Sequence, residues 1–545
     1  MKSYDNLFII FVHYLKEQIM FKELKYLNLP EIDIEILSFW KNNHIFEKSI
    51  SSREGRKSFV FYEGPPSANG KPGIHHVMSR TVKDIFCRYQ TLLGKKVNRK
   101  GGWDTHGLPI ELSVEKELGI TKEDIGIKIS IEDYNRKCKE TVMRFKNEWD
   151  EMTLMMGYWV DLNNPYITFE NNYIESVWNL LQKIFNKGYL YKGYSIQPFS
   201  PAAGTGLSSH ELNMPGCYRE VKDVSAVALF EVDPSSITEK NQKLGNLNNL
   251  RISAWTTTPW TLPSNTALSV GERIEYSIIE TFNPYSKEKT HLILARDLVS
   301  KWFNSENEVT KTGELSIDPD KNLPYRVLEF TIKGSELAGL KYVPLFDYAV
   351  PEDGEAYVVI TGDFVSTEDG TGIVHTAPSF GAEDMKVAKK YGIGSLTLVD
   401  RQGRFTKEVR DFAHEYVKEA YLSEKEKEAE IKRLGLTKYL SVDERIVIKL
   451  KTEGKLFNAQ KFAHNYPHCW RTDKPILYYP LDSWFIKVTA IKDRLIDLNK
   501  TINWKPEATG SGRFGNWLEN LQDWNLSRTY IGELLCRFGE IKKVP

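Results

Sequence analysis

The sequence predicts an α/β protein whose first domain is interrupted by a mainly β insertion. A short apolar strand at 58–63 is followed by a Gly/Pro-rich turn at 64–73 and a helical pattern over 74–93. From about Val221, short β-branched and aromatic runs alternate with turn residues, as in a β-rich domain. Around residues 392–404 the sequence pattern changes again, and the chain is predicted to return to its first domain.

Composition places the chain among ordinary globular proteins. Its 545 residues suggest three or four domains at roughly 150 residues each. Hydrophobic residues at 41% and charged residues at 27% exclude collagen-like, coiled-coil and mostly disordered classes. Lys+Arg and Asp+Glu both total 73, so net charge does not indicate a nucleic-acid partner, although a local basic face would suffice.

Cysteine use and the apolar runs bear on the compartment. The five cysteines are sparse, odd in number and widely spaced, which indicates no disulfide framework and favours a reducing cytoplasm. The apolar run at 7–12 is too short to span a bilayer, so no membrane partner is expected.

Within the later part of the chain, the runs 226–232, 291–294 and 357–360 predict strands of the insertion. Residues 406–460 are charge-rich and helical, and 423–433 predict a solvated helix face.

The turn between the first strand and helix combines glycines with two adjacent imidazoles. Gly70 and Gly73 precede His75 and His76, which open the predicted helix. A helix N-terminus binds phosphate through its unpaired N–H groups, glycines allow close backbone approach, and imidazoles donate to phosphate oxygens. The segment therefore suggests a nucleotide site, with a plain structural turn as the alternative.

About thirty residues later comes Gly-Trp-Asp-Thr-His-Gly-Leu-Pro-Ile-Glu, residues 102–111. With the glycine-rich turn it resembles the Rossmann-like catalytic core of class I aminoacyl-tRNA synthetases, in the branch for branched aliphatic amino acids. The resemblance implies that ATP, with Mg²⁺, is bound by Gly70, Gly73, His75 and His76. It also implies that the two histidines are catalytic. It implies that Asp104 binds the substrate's α-amino group, a charge-assisted contact; a helix cap or turn role is the alternative.

One departure from the family signature is visible. The four signature positions read Gly73-Ile74-His75-His76, so the first histidine and the glycine have changed places. His76 matches the family, and His75 becomes the candidate for the phosphate role of the missing first histidine.

Two stretches in the predicted insertion, 255–267 and 369–384, resemble the editing domain of isoleucyl-, valyl- and leucyl-tRNA synthetases. Thr-Thr-Thr-Pro-Trp-Thr is similar to the isoleucyl form, because the other two typically carry arginine where Thr258 stands. The resemblance implies that Asp384 binds the α-amino group of a mischarged amino acid. It implies a pocket lined by Thr257, Thr258, Thr261, Asn265 and His375.

A purely structural role remains the alternative for both stretches. The threonines could form a turn at a sheet edge, and His375 could be a hydrogen-bonded core residue. The energetics nevertheless call for a second pocket. One methylene group changes the binding free energy by only about 1–3 kcal/mol, so a site for isoleucine cannot reject valine by fit alone, and isoleucine-selecting synthetases are the known example of this limit.

Two later segments, 481–486 and 523–528, resemble those that wall the amino-acid side chain in the family. Trp484 and Trp524, with Pro65 and Pro66, are then expected to form a rigid apolar box; the alternative is that the tryptophans are large core residues. Thr472 stands where some relatives complete a Cys-x-x-Cys pair, so no zinc site is expected within this chain.

The resemblance implies an order of domains along the chain. It predicts an N-terminal extension 1–20, a catalytic core in two halves 21–215 and 396–528, an editing domain 216–395, and a divergent tail 529–545. After Arg528 the sequence departs from the family. Plausible codons for the residues that follow, when read two bases later, would encode the family's next strand. The hypothesis is therefore a truncation or frameshift near residue 528. The lysine-rich ATP loop and the anticodon-binding domain are then expected to be absent.

The expected function is therefore ATP-dependent activation of L-isoleucine, transfer to tRNA(Ile) and hydrolytic editing of mischarged Val-tRNA(Ile), by a cytoplasmic monomer. Three alternatives stay open: a non-activating fragment that retains only editing or tRNA binding, an inactive pseudogene product, and a valyl-specific enzyme, which Thr258 disfavours.

Overall fold

The computed structural model describes residues 26–309, 315–316 and 323–527. These residues divide into two compact units, one ending at Asn179 and the other beginning at Leu180. The predicted N-terminal extension and the tail 529–545 lie outside the described residues.

The first unit contains a three-stranded parallel sheet in the order β1-β2-β3. Its strands are β1 Ser58–Tyr62, β2 Lys96–Trp103 and β3 Asp161–Ile167. Parallel neighbours need crossover connections, and helices supply them. The helices that begin in this unit are α1 Leu29–Asn42, α2 Ile45–Ser51, α3 Ile74–Leu92, α4 Leu108–Leu118, α5 Ile131–Val142, α6 Lys146–Met155 and α7 Asn171–Asn186. The predicted strand, loop and helix unit over 58–93 is confirmed.

Buried charges attach α3 to the sheet. Asp84 on the inner face of α3 accepts from Arg99 of β2 at 3.3 Å and from Arg88 at 2.6 Å. The Arg99 guanidinium also donates to the Thr91 hydroxyl at 2.7 Å. Buried charges are tolerated when they are paired and hydrogen-bonded in this way. The pairing fixes α3 against β2, and so fixes where the helix N-terminus lies.

The second unit is dominated by a nine-stranded sheet. Seven strands follow the order β11-β9-β10-β7-β13-β8-β12, and β6 pairs with both β7 and β14. The strands are β6 Tyr218–Glu231, β7 Leu250–Thr256, β8 Ala267–Val270, β9 Glu275–Phe282, β10 Lys289–Ala295, β11 Arg326–Lys333, β12 Val358–Thr361, β13 Ile373–Thr376 and β14 Leu456–Pro467. The strands predicted at 226–232, 291–294 and 357–360 lie within or overlap β6, β10 and β12, which confirms a β-rich region here.

A smaller antiparallel sheet in the same unit has the order β16-β15-β4-β5. Its strands are β4 Leu190–Ser200, β5 Thr205–Gly206, β15 Leu477–Ile486 and β16 Trp524–Asn525. The helices of this unit are α8 Ser209–Leu212, α9 Val299–Trp302, α10 Gly334–Leu337, α11 Ala382–Tyr391, α12 Glu424–Leu434, α13 Val442–Thr452, α14 Lys492–Lys500 and α15 Gly515–Glu519.

The limits of the predicted insertion remain a prediction. Strand β14 lies beyond residue 395, yet it pairs with β6 along most of its length.

Helix α12 has no buried residue, and Ser423 caps it by accepting from the Glu426 N–H. This confirms the solvated helix face predicted at 423–433.

Two further observations concern the described residues only. No helix among them is both long enough and apolar enough to cross a membrane. Their four cysteines, Cys87, Cys138, Cys217 and Cys469, are free and buried.

A buried tyrosine of β9 links two loops of the large sheet. Tyr276 is 0% exposed; its hydroxyl accepts from the Gly271 N–H at 2.9 Å and donates to the Gly372 carbonyl at 2.8 Å. The single hydroxyl thus satisfies two backbone groups from loops that are about a hundred residues apart in the chain.

Replacing Tyr276 by phenylalanine keeps the ring but leaves both backbone groups unpaired. We expect a loss of about 1–3 kcal/mol in unfolding free energy, measured by denaturant titration followed by circular dichroism. Tyr62→Phe, at a tyrosine that is 63% exposed, is the control and is expected to change stability by less than about 0.5 kcal/mol. Equal stability of the two variants would contradict the prediction.

Candidate nucleotide and editing sites

The loop after β1 is fixed by backbone contacts at the carboxyl end of the parallel sheet. The Trp149 indole N–H donates to the Gly70 carbonyl at 2.8 Å, and the Phe145 N–H donates to Ala68 at 3.0 Å. Helix α3 begins directly after Gly73. The helix N-terminus and its glycine-rich loop thus form the arrangement that suits phosphate groups.

His76 is held in a defined tautomer at this helix N-terminus. Its Nδ1 accepts the Gly73 backbone N–H at 2.9 Å, so in the neutral ring the proton sits on Nε2. Burial, and then the neighbouring His75 and Arg80, lower the pKa of His76. His76 is therefore arranged as a neutral donor through Nε2, which suits a phosphate oxygen.

His75 takes up the space that the exchanged signature leaves above Gly73. A Cβ at residue 73 would lie 2.9 Å from His75 Cε1 and 3.0 Å from its Nδ1. The ring centroids of His75 and His76 are 3.7 Å apart. The glycine therefore makes room for the imidazole two residues later, and the structure places two imidazoles together despite the exchange.

Asp104 follows β2 and contacts the same loop. Its N–H donates to the Pro66 carbonyl at 3.0 Å, which brings two of the predicted amino-acid-binding residues together. Its Oδ1 lies 3.4 Å from the His106 N–H. The His106 ring is in turn hydrogen-bonded to Thr168, beyond the end of β3, at 2.8 Å. The second motif is thus anchored at the same sheet edge as the first.

The two tryptophan segments meet in the smaller sheet of the second unit. Ile486 of β15 lies opposite Trp524 of β16, so Trp484, two residues earlier, shares a sheet face with Trp524. Trp484 is half-buried, whereas Trp524 is 60% exposed. Pro65, Pro66 and Asp104 belong to the first unit, so the apolar box of all these residues stays a prediction.

The predicted editing stretches come together through strand order. The threonine stretch connects β7 to β8, and β13 lies between these two strands. The Thr261 hydroxyl is 2.7 Å from His375 Nε2, and Asn265 Nδ2 is 3.2 Å from His375 Nδ1. Residues more than a hundred positions apart thus form one buried cluster.

Hydrogen-bond partners define the protonation of this cluster. The Tyr342 hydroxyl donates to Asn265 Oδ1 at 2.7 Å, so the Asn265 amide N–H points to His375 Nδ1. Nδ1 must then accept, and Nε2–H donates to Thr261, whose hydroxyl donates to the Thr258 carbonyl at 2.7 Å. Burial lowers the pKa of His375 to about 4. Both ring nitrogens are engaged, so His375 holds the threonines in position and is not a base with a free nitrogen.

The remaining threonines lie beside this cluster. Thr258 Oγ1 is 3.3 Å from Thr261 Oγ1 and 3.4 Å from Thr256 Oγ1, and Thr257 is half-buried.

Asp384 lies at the same end of β13. It is in the first turn of α11, and its Oδ2 accepts the Ala377 N–H at 2.8 Å, two residues after His375. Burial raises the pKa of Asp384 to about 6. A buried carboxylate with a raised pKa would gain from a cationic partner, which an α-ammonium group can supply.

Sequence reasoning missed two residues that support the threonine wall. Tyr342 orients Asn265, as described above. Asp443 accepts the Trp260 N–H at 2.8 Å and lies 4.0 Å from the buried Lys418 ammonium. Burial raises the pKa of Asp443 to about 7. Asp443 lies within the Ser-x-x-Glu capping pattern of residues 441–444, so the sequence indicated only a helix start there.

No group of three or more His, Cys, Asp or Glu side chains that could hold a metal ion occurs within residues 26–309, 315–316 and 323–527. The expected absence of zinc stays a prediction.

Comparison with known proteins identifies the family. The family described as tRNA synthetases class I (I, L, M and V) matches residues 35–535. The chain belongs to this family. Isoleucine–tRNA ligases from Cytophaga hutchinsonii, Porphyromonas gingivalis and Bacteroides fragilis are 62%, 52% and 50% identical to it. They match over 92%, 93% and 93% of this chain, and 45%, 46% and 45% of their own length.

This class I synthetase chain therefore spans a little under half the length of the curated relatives it matches. The family and the α/β fold with a Rossmann-like parallel sheet, both predicted from the sequence, are confirmed.

Replacing Gly73 by alanine tests how the synthetase chain accommodates its exchanged signature. The new methyl group would overlap the His75 ring, so we expect the His75 side-chain resonances to shift in NMR spectra while the fold is retained. Gly70→Ala is the matched control, because a Cβ there meets nothing within 4 Å. Unchanged His75 resonances in Gly73→Ala would contradict this arrangement.

The raised pKa of Asp384 predicts a pH dependence of stability. The folded protein holds this proton more tightly than the unfolded chain, so its stabilising effect is present at low pH. The effect is lost as pH rises from about 4 through about 6. Relative to Asp384→Asn, we expect wild type to lose about 2–3 kcal/mol between pH 4 and 7, at 1.36 kcal/mol per pKa unit.

Denaturant titrations across that pH range measure the difference. Glu383→Gln, at the exposed neighbour on the same helical turn, is the control and should keep most of the wild-type pH dependence, because burial raises the pKa of Asp384 more than the Glu383 charge does. Parallel stability curves for wild type and Asp384→Asn would show that the carboxyl titrates normally.

Proposed function

We propose that this chain carries the activation and editing sites of an isoleucine–tRNA ligase. The curated relatives that bear this name support the proposal, because they match more than nine-tenths of the chain. The proposed substrates are L-isoleucine, ATP with Mg²⁺, and tRNA(Ile), and the proposed setting is a monomer in the cytoplasm.

In the proposed activation step, a carboxylate oxygen of isoleucine attacks the α-phosphate of ATP. The new O–P bond forms as the bond to pyrophosphate breaks. Mg²⁺ arriving with ATP would neutralise phosphate charge. His76, a neutral donor through Nε2, and His75 beside it would donate to the phosphate oxygens, and Gly70 and Gly73 would let the backbone approach.

Selection of the amino acid would use both a charge and a shape. The Asp104 carboxylate would pair with the substrate ammonium, and its backbone contact with Pro66 supports a shared pocket. Pro65, Pro66, Trp484 and Trp524 would limit the side chain that fits. Such a pocket rejects larger side chains but separates valine from isoleucine by only about 1–3 kcal/mol.

The editing proposal rests on one observation, the 2.7 Å contact between Thr261 and His375. It joins the two predicted stretches into a polar wall, with Asp384 at the same strand end. Asp384 would bind the α-ammonium group of a mischarged valine. Water would then attack the ester carbonyl and release the tRNA, with the hydroxyls of Thr257, Thr258 and Thr261 orienting the water and His375 and Asn265 holding them in place.

Two assays on the purified chain test the halves separately. Isoleucine-dependent ATP–pyrophosphate exchange reports activation, and release of valine from Val-tRNA(Ile) reports editing. We expect Asp104→Asn to lower exchange by about 10- to 100-fold and leave deacylation unchanged, with the reverse for Asp384→Asn, because each change removes one charge-assisted contact. Each variant is thus the control for the other.

The results of the exchange and deacylation assays distinguish the candidate functions. Deacylation without exchange in wild type would favour a chain in which only editing works. Exchange that is insensitive to Asp104→Asn would contradict the assigned amino-acid site. Thr261→Val, which keeps the side-chain shape but removes the hydroxyl, is expected to lower deacylation and leave exchange unchanged.

A further inference from the structure

The first turn of helix α13 contacts the turn that carries Thr261. Asp443, the second residue of this helix, accepts the Trp260 backbone N–H through Oδ1 at 2.8 Å. Asp443 is 6% exposed and Trp260 is 3% exposed, so water does not compete for this hydrogen bond. Residues 259–264 form a 3₁₀ turn in which all six residues are buried. A side chain 183 residues later in the chain thus anchors the backbone next to Thr261.

The backbone at this turn determines where the Thr261 hydroxyl points. The Thr261 N–H and hydroxyl both donate to the Thr258 carbonyl, at 2.9 and 2.7 Å, and the same hydroxyl accepts from His375 Nε2. The Trp260 ring packs edge-on against Phe380, with centroids 5.1 Å apart. Among the described residues its Nε1 has no hydrogen-bond partner. The ring therefore supplies packing, whereas the backbone N–H to Asp443 supplies a directional hydrogen bond.

The Asp443 carboxyl group also faces a buried ammonium group. Asp443 Oδ2 lies 4.0 Å from Lys418 Nζ, and Lys418, which is 8% exposed, donates to Asp223 of β6 at 2.7 Å. Burial acts to lower the pKa of Lys418, but its acidic neighbours raise that pKa overall, so the ammonium stays charged. Two carboxyl groups from different elements thus share one buried cation.

Further titratable groups surround this pair. They are Glu444 on α13, Tyr439 before it, and His464 and Tyr466 on β14. Burial, and then the charges of Asp223 and Glu444, raise the pKa of Asp443 to about 7, against the opposing effects of Lys418 and the Trp260 N–H. Near neutral pH the Asp443 carboxyl is therefore divided between its neutral and ionised forms.

We propose that Asp443 is a positioning residue for editing: its carboxylate, paired with the Lys418 ammonium, fixes the Trp260 backbone and through it the Thr261 hydroxyl. The inference rests on the editing activity proposed above. An ionised acceptor makes a stronger hydrogen bond than a neutral one, so the threonine wall is held more firmly when Asp443 is charged. The hold is expected to weaken as Asp443 gains a proton below about pH 7.

The first test needs no substrate. In the full chain labelled with ¹⁵N-histidine, NMR follows the His375 ring nitrogens as the pH is varied across neutrality. Burial lowers the pKa of His375 itself to about 4, so a change near pH 7 reports a neighbouring group. We expect the Nε2 resonance to shift with a midpoint near pH 7 in wild type and to lack that step in Asp443→Asn, which keeps Oδ1 but does not titrate. Asp384, whose pKa is about 6, is present in both proteins and cancels in the comparison.

Two further variants test the assignment. Lys418→Gln removes the ammonium that lowers the pKa of Asp443, so the step should move to higher pH; a step at the wild-type midpoint would overturn the proposal. This comparison decides the question if Asp443→Asn does not fold. Glu453→Gln, at an exposed carboxylate just beyond the other end of α13, is the matched control and should keep the wild-type step.

Release of valine from Val-tRNA(Ile) tests the consequence for editing. Above pH 7 we expect Asp443→Asn to lower kcat by about 3- to 10-fold, because a charge-assisted hydrogen bond becomes a neutral one. KM should change little, since the threonines are proposed to orient water while Asp384 binds the substrate. The variant should also lose the component of the pH profile near pH 7, and its ATP–pyrophosphate exchange should match wild type.

The two readouts separate this inference from the proposed function. If the His375 step is present in wild type and absent in Asp443→Asn, but wild type releases no valine, the link from Asp443 to the threonine wall stands and the editing activity fails. The proposal is overturned if wild type and Asp443→Asn show the same His375 titration, or if their deacylation rates follow the same pH profile.

Discussion

Both candidate sites depend on one constraint: a polar group taken out of water must find a hydrogen-bond partner in the protein. His375 meets it by giving one nitrogen to Asn265 and the other to Thr261. His76 meets it by accepting the Gly73 N–H. In each case the partner sets the tautomer, and the tautomer decides whether the imidazole presents a donor or only holds its neighbours. Among the described residues, Arg80 through its Nε and Nη1 and Trp260 through its Nε1 are examples of buried groups that do not meet it.

The two histidines differ in their hydrogen-bond partners, although burial affects both in the same direction. Burial lowers the pKa of both, so both rings favour the neutral form. His76 keeps Nε2–H as a donor beside a helix N-terminus, where negative charge is favoured. His375 has both nitrogens engaged within the protein, so it serves as a rigid support for the threonine wall. The same side chain thus presents Nε2–H in one candidate site and has both ring nitrogens engaged in the other.

Much of the architecture could be predicted because local patterns have local causes. The strand, loop and helix around Gly64 to Gly73 follow from an apolar run, a glycine-rich turn and an amphipathic repeat. The β-rich region after Val221 follows from its β-branched runs. Tyr342 and Asp443 could not be found in this way, because Tyr342 lies in no recognisable motif, the motif around Asp443 marks only a helix start, and each contacts a segment far away in the chain. The pairing of β14 with β6 was missed for the same reason.

By itself the sequence determined the α/β class, the family and the residue types available at each site, because these depend on local periodicity and on short motifs. Only the tertiary structure decided that β13 runs between β7 and β8, which brings His375 against Thr261. It also decided that the His75 ring lies over Gly73 and that Nε and Nη1 of Arg80 are buried without a hydrogen-bond partner. These outcomes depend on strand order and on the competition for buried hydrogen-bond partners. Because both involve residues that are distant in the chain, they cannot be predicted from the local sequence pattern.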